Sequence, residues 1–82
     1  QGDTLLWFHS PMCGPCRVMH PQVRALAAKG RAHEVDVTQH HALARALHVM
    51  ATPTTVRVRG GKVVDVRLGV LTAAELDRLA CR

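Results

Sequence analysis

Apolar residues recur along this chain in two rhythms, one helical and one strand-like, separated by turn residues. Thr4-Leu5-Leu6-Trp7-Phe8-His9 is a short, nearly continuous apolar run, the pattern of a strand buried on both faces. Ser10-Pro11 breaks it. From Cys13 to about Lys29 the apolar positions Val18, Met19, Val23, Leu26 and Ala27 follow helical spacing, and Gly30 ends the segment. Pro21 falls inside this helix and predicts a kink. Ala32 to Val37 reads as a second strand. Thr38 is placed to cap a second helix with Leu43, Ala46, Leu47 and Met50 on its inner face. Ala51-Thr52-Pro53-Thr54 is a break. Two strands follow, Thr54 to Arg59 and Val63 to Leu68, joined by Gly60-Gly61, a strong hairpin signal. Gly69 ends the pair. Thr72 and Glu75 form a T-x-x-E capping box for a last helix carrying Leu76, Leu79 and Ala80.

The order is therefore β-α-β-α-β-β-α, an α/β chain. Its βαβ start implies parallel strands with a right-handed crossover, and the hairpin adds an antiparallel edge. The expected architecture is a four-stranded mixed sheet with helices on its faces. In the hairpin, Val56 and Val58 alternate with Thr55, Arg57 and Arg59, and Val64, Val66 and Leu68 alternate with Asp65 and Arg67. A core resists that many charges, so the polar face is expected to be wet, with helices covering this end of the sheet on one side only.

Length and composition narrow the picture. Eighty-two residues suffice for one domain, taken as 1–82, of modest stability. Hydrophobic residues make up 48%, which suits a globular chain, yet no apolar run is long enough for a transmembrane helix. Gln1-Gly2-Asp3 leads straight into the first strand run, so nothing here reads as a signal peptide; the missing initiator Met leaves room for an upstream segment. The net charge is +5, concentrated in the second half. The arginines are scattered and the aromatics Trp7 and Phe8 sit in one apolar run, which argues against nucleic acid and for a solvated basic face favouring acidic partners.

Three cysteines are too few for a disulfide scaffold, and two are spaced C-x-x-C in Cys13-Gly14-Pro15-Cys16. Thiol–disulfide exchange needs a thiolate nucleophile and a second thiol close enough to resolve the mixed disulfide. A helix N-terminus lowers the pKa of the first cysteine, and Pro15 suits a first turn whose N–H groups are unpaired. Cys13 is thus the expected attacking thiolate and Cys16 the resolving thiol. Half of a zinc site is the competing reading. It lacks a second C-x-x-C, and the six histidines show no ligand pairing with this one. His9 and His20 bracket the pair and would raise the local positive potential if protonated. Cys81 reads as a spare thiol, able to form intermolecular disulfides if exposed.

The chain resembles the thioredoxin family over almost its whole length. Trp7-Phe8 and Met12-Cys13-Gly14-Pro15-Cys16-Arg17 look like the family's strand and active-site motif. Pro21 matches its kink proline, and Gly61, Gly69 and the last helix fall at matching spacing. Thr52-Pro53-Thr54 matches the loop where the family carries a cis-proline beside the dithiol. The resemblance implies a minimal thioredoxin fold, with Pro53 cis and the Thr52 backbone pairing with substrate peptide. The chain starts at what is usually the family's second strand, and the polar hairpin face favours a genuinely short form. Met12 stands where a Trp is usual and is expected to rim the substrate groove. Trp7 stands where the family usually buries an Asp that helps deprotonate the resolving cysteine. Glu34, on the neighbouring strand, is the expected substitute: a buried carboxyl with a raised pKa exchanging a proton with Cys16.

The resulting expectation is a monomeric, cytoplasmic protein disulfide reductase acting on disulfide-containing proteins. A thioredoxin reductase or similar donor would recharge it, and no metal or organic cofactor, nucleic acid or membrane is required. A disulfide oxidase or isomerase in an oxidising compartment, and a non-enzymatic metal- or protein-binding module, are the rivals.

Overall fold

In the computed structural model, which describes residues 3–80, the elements are β1 (Thr4–His9), α1 (Gly14–Ala28), β2 (Ala32–Asp36), α2 (His41–Ala46), β3 (Thr54–Arg59), β4 (Lys62–Leu68) and α3 (Ala73–Ala80). This is the order read from the sequence. One sheet has strand order β2-β1-β3-β4. β1 runs parallel to β2 and antiparallel to β3, and β3 is antiparallel to β4, so the sheet is mixed as expected. Cys81 lies outside the described residues.

β1 is central and apolar on both sides, and each side has its own core. Leu5 and Trp7 join Cys16, Met19, Val23 and Leu26 of α1 and Leu76, Leu79 and Ala80 of α3. Phe8 packs on the other side with Val35, Val56 and Ala44 of α2. The local signals act as their chemistry requires. Gly60 and Gly61 turn the hairpin with φ of 58° and 80°, a region that costs glycine little. The Thr72 amide donates to Glu75 Oε1 (2.8 Å) and the Glu75 amide donates to Thr72 Oγ1 (3.1 Å), closing the capping box of α3.

Two expectations are corrected. Thr38 does not cap α2. Its amide and hydroxyl both donate to Asp36 Oδ1 (2.8 and 2.6 Å), so it closes the turn after β2, which ends at Asp36. α2 starts later, behind His40, with no side-chain cap, and its buried residue is Ala44. Leu47 is half-buried, while Leu43, Ala46 and Met50 are exposed. The helix is short and turned relative to the expected inner face.

The hairpin is reversed in a more consequential way. Thr55 and Arg57 pair in register with Trp7 and Leu5, which places them on the side of α1 and α3, and both are buried. The charge is neutralised from far along the chain: the Arg57 guanidinium donates to Asp3, whose carboxylate also accepts from Arg59 Nε (2.7 Å) and Nη2 (3.1 Å). Asp65 lies 3.7 Å from the same guanidinium. A buried arginine is tolerable only with such partners. It is the opposite, apolar side of β4 that faces solvent, with Val66 and Leu68 exposed. The polar face is not bare, and it carries no information about chain length.

The Thr55 hydroxyl is buried without a hydrogen-bond partner. Thr55→Val is therefore expected to raise stability by about 1 kcal/mol in urea unfolding, whereas Leu68→Ser on the open face shifts it by less than about 0.5 kcal/mol. Hydrogen bonding from Arg59, reinforced by Arg57, lowers the Asp3 pKa from 3.8 to about 2. A carboxyl depressed by folding contributes stability that is full above its unfolded pKa and is lost as pH falls toward its folded value. Asp3→Asn is expected to lower the urea midpoint at pH 7, and its difference from the parent chain should shrink between about pH 4 and pH 2.

Candidate functional site

The antiparallel pairing of β1 with β3 sets the end of β1 beside the start of β3, with Phe8 opposite Thr54. The loop leaving β1 and the loop entering β3 therefore share one end of the sheet. The first carries Cys13 to Cys16 and the second carries Thr52-Pro53, whose peptide bond is cis. Gly69 donates to the Pro53 carbonyl (2.9 Å), and the Thr54 hydroxyl donates to the Ala51 carbonyl (2.6 Å), fixing the second loop from both sides.

Cys13 is the N-cap of α1, in extended conformation, and its sulfur accepts a hydrogen bond from the Cys16 amide (3.1 Å). Pro15 occupies the first turn, and no acidic residue there opposes the positive helix end. Cys13 and Cys16 form a disulfide, with Cα atoms 5.3 Å apart. The two sulfurs differ in access: Cys13 is 8% exposed and Cys16 1%. An anion at Cys13 would be stabilised by the helix dipole and the Cys16 amide, while Cys16 is held within the apolar core. Gly14 and Pro15 are exposed between them. The arrangement suits an attacking outer thiolate and an inner thiol that closes the ring.

Apolar surface surrounds this end. Met12 and Met50 are among the most exposed residues of the described chain, at 93% and 91%. A cleft of about 180 Å³ is lined by Val37, Val49, Met50, Ala51 and Thr52. Sequence reading took Met50 for a core residue and missed Val37 and Val49 as lining residues. The useful signal is the position of Met50 two residues before Thr52-Pro53, immediately ahead of the break at Ala51-Thr52-Pro53-Thr54.

Trp7 is buried beneath the dithiol, in the same cluster as both cysteines. His9 stacks on its indole (centroids 4.8 Å apart, planes at 15°), and His20 meets it edge-on at 5.0 Å. Glu34 is in register with Trp7 on β2 but is not the buried carboxyl expected from the sequence. It is exposed at the sheet edge, 3.7 Å from Arg24 Nε. Among the described residues, no group of three or more His, Cys, Asp or Glu is arranged to hold a metal, and no helix is long and apolar enough to cross a membrane.

Comparison with known proteins settles the family. Residues 1–81 match the Thioredoxin family. The chain belongs to the thioredoxin family. It is 32% identical over 74 residues to mitochondrial thioredoxin of Mus musculus, covering 85% of this chain but 45% of that protein. It is 29% identical over 83 residues to thioredoxin of Bacillus subtilis, covering 96% and 80%. Among solved structures, a mutant thioredoxin from Halobacterium salinarum superposes with a TM-score of 0.86 at 32% identity, covering 98% of this chain and 73% of that one. Fasciola hepatica thioredoxin gives 0.85 at 32%, covering 98% and 79%. The chain thus spans under half of the mitochondrial thioredoxins it matches. Within this thioredoxin fold the Cys pair lies at the active-site position.

An exposed, arginine-paired Glu34 is a poor proton partner for a buried thiol. Glu34→Gln is expected to leave the pH profile of disulfide reduction within about twofold of the parent chain at every pH. A lost inflection near neutrality would restore the carboxyl to the mechanism.

Proposed function

We propose that this thioredoxin-family chain is a thiol–disulfide oxidoreductase that reduces protein disulfides. The observation that carries the reading is the Cys13–Cys16 pair across the first turn of α1, with the outer sulfur at the N-cap and the inner one buried. Cys13 thiolate attacks one sulfur of a substrate disulfide, forming a mixed disulfide and releasing the other sulfur as a thiolate. Cys16 then attacks Cys13, closing the intramolecular disulfide and releasing the second substrate thiol. Two electrons pass to the substrate. A thioredoxin reductase or similar dithiol donor returns them, and no metal or organic cofactor takes part.

Gly14 and Pro15 keep the ring short and its entry open. Met12, Thr52 and Pro53 form the substrate surface, the Thr52 backbone adding an extended peptide segment as a strand would. The two exposed methionines supply an adaptable apolar rim, suited to varied protein substrates. The net charge of +5 favours acidic partners over nucleic acid or anionic membranes alike, as its arginines form no stripe. The chain works as a single domain over residues 1–82, as a monomer, in the reducing cytoplasm.

Insulin-disulfide reduction driven by dithiothreitol tests this. Cys13→Ser is expected to reduce the rate to background. Cys16→Ser should retain the first attack and accumulate a mixed disulfide with substrate, visible by mass spectrometry. Full activity of Cys13→Ser, or mixed disulfides formed through Cys16, would overturn the assignment of roles.

A further inference from the structure

The resolving thiol is buried, and a buried thiol must lose its proton before it attacks. Indole cannot take it, and the carboxylate in register with Trp7 is exposed and paired. Apart from the two cysteines, the buried ionisable side chains among the described residues are Asp3 and Arg57, which are bonded to each other. Two imidazoles remain. His20 follows Cys16 by one turn of α1, a spacing that places side chains on one face with Cβ atoms about 5–6 Å apart. Its ring lies edge-on to Trp7, which packs in the cluster that holds Cys16. His9 stacks on the indole and meets His20 edge-on at 5.6 Å. Both histidines are half-buried, touching the core on one side and solvent on the other.

We propose that His20, supported by His9, is the proton-exchanging partner of Cys16. This rests on the oxidoreductase reading above. In the resolving step the Cys16 Sγ–H proton passes to the His20 imidazole. Cys16 thiolate attacks Cys13 Sγ, the Cys13–Cys16 bond forms and the Cys13–substrate S–S bond breaks. The substrate sulfur leaves with the bonding pair and takes the proton from the imidazolium, so charge and electrons balance.

The other charged groups around the pair set its environment. On β2, Asp36 is in register with His9, its carboxyl held below the ordinary range first by the Thr38 hydroxyl and then by the Thr38 amide, with a smaller contribution from His9. Glu34 on the same strand pairs with Arg24 of α1, and Arg17 is exposed on α1. From α3 the side chains in the shared core are Leu76, Leu79 and Ala80, while Glu75 is tied to Thr72. Asp36 is thus the carboxylate that shares a register position with His9.

Single-turnover resolution of a preformed mixed disulfide, followed from pH 5 to 9, tests the role. His20→Gln is expected to slow resolution about 10- to 100-fold at pH 7 and to remove an inflection between pH 5 and 8. His9→Gln should shift that inflection. His33→Gln, in register with Leu6 on the opposite face, should follow the parent chain. Trp7 is the sole tryptophan, so its fluorescence reports imidazole protonation independently of turnover. Its pH midpoint should differ between the disulfide and dithiol forms, and the difference should vanish in His20→Gln. A His20→Gln profile that superimposes on the parent, with no redox-linked fluorescence shift, overturns the proposal alone. A redox-linked shift in a chain that reduces no disulfide overturns the oxidoreductase reading and leaves the proton coupling standing.

Discussion

Trp7 is buried at the middle of the central strand, and the rest of the site is arranged around its indole. In register it faces Glu34 on one neighbouring strand and Thr55 on the other, and it packs under both cysteines and against Met19 and Val23 of the helix they begin. A large apolar ring here does two things at once. It fixes the depth at which α1 rides on the sheet, and so the burial of Cys16. It also fills the place where a carboxyl could have served the inner thiol, so proton traffic is routed past the ring, where His9 stacks on its face and His20 meets it edge-on.

The second constraint is electrostatic. Arg57 is drawn into the side of the sheet shared with the main core because Asp3, Asp65 and the neighbouring Arg59 make a compact charge network there. The consequence is an uncommon division of the hairpin: Thr55 and Arg57 on its polar face are covered, while Val66 and Leu68 on its apolar face are open. Removing one member of such a network costs more than the network contributes as a whole, since the remaining charge is left buried without a partner.

Much of this was legible from local chemistry. Gly60-Gly61, the Thr72–Glu75 box and the Cys13–Cys16 spacing each specify their own structure within a few residues, and each formed as read. Pro53 was legible only through the resemblance to thioredoxins. What was not legible depends on distant partners. The burial of Arg57 needs Asp3, 54 residues away. The fate of Thr38 was decided by competition: Asp36 offers its hydroxyl and amide an acceptor, and α2 is left to start without a cap. Glu34 read as a buried base because the resemblance left the usual Asp position to Trp7 and offered a carboxyl on the neighbouring strand, but at the sheet edge that side chain stays open beside Arg24.

The central claim is that Cys13 and Cys16 form a dithiol that donates electrons to protein disulfides. The reduction potential of this pair, measured by equilibration against glutathione, tests it most directly. The account predicts a strongly reducing value of about −270 mV, the value general for thioredoxins. A value near −120 mV would mark a disulfide-donating protein and contradict the account.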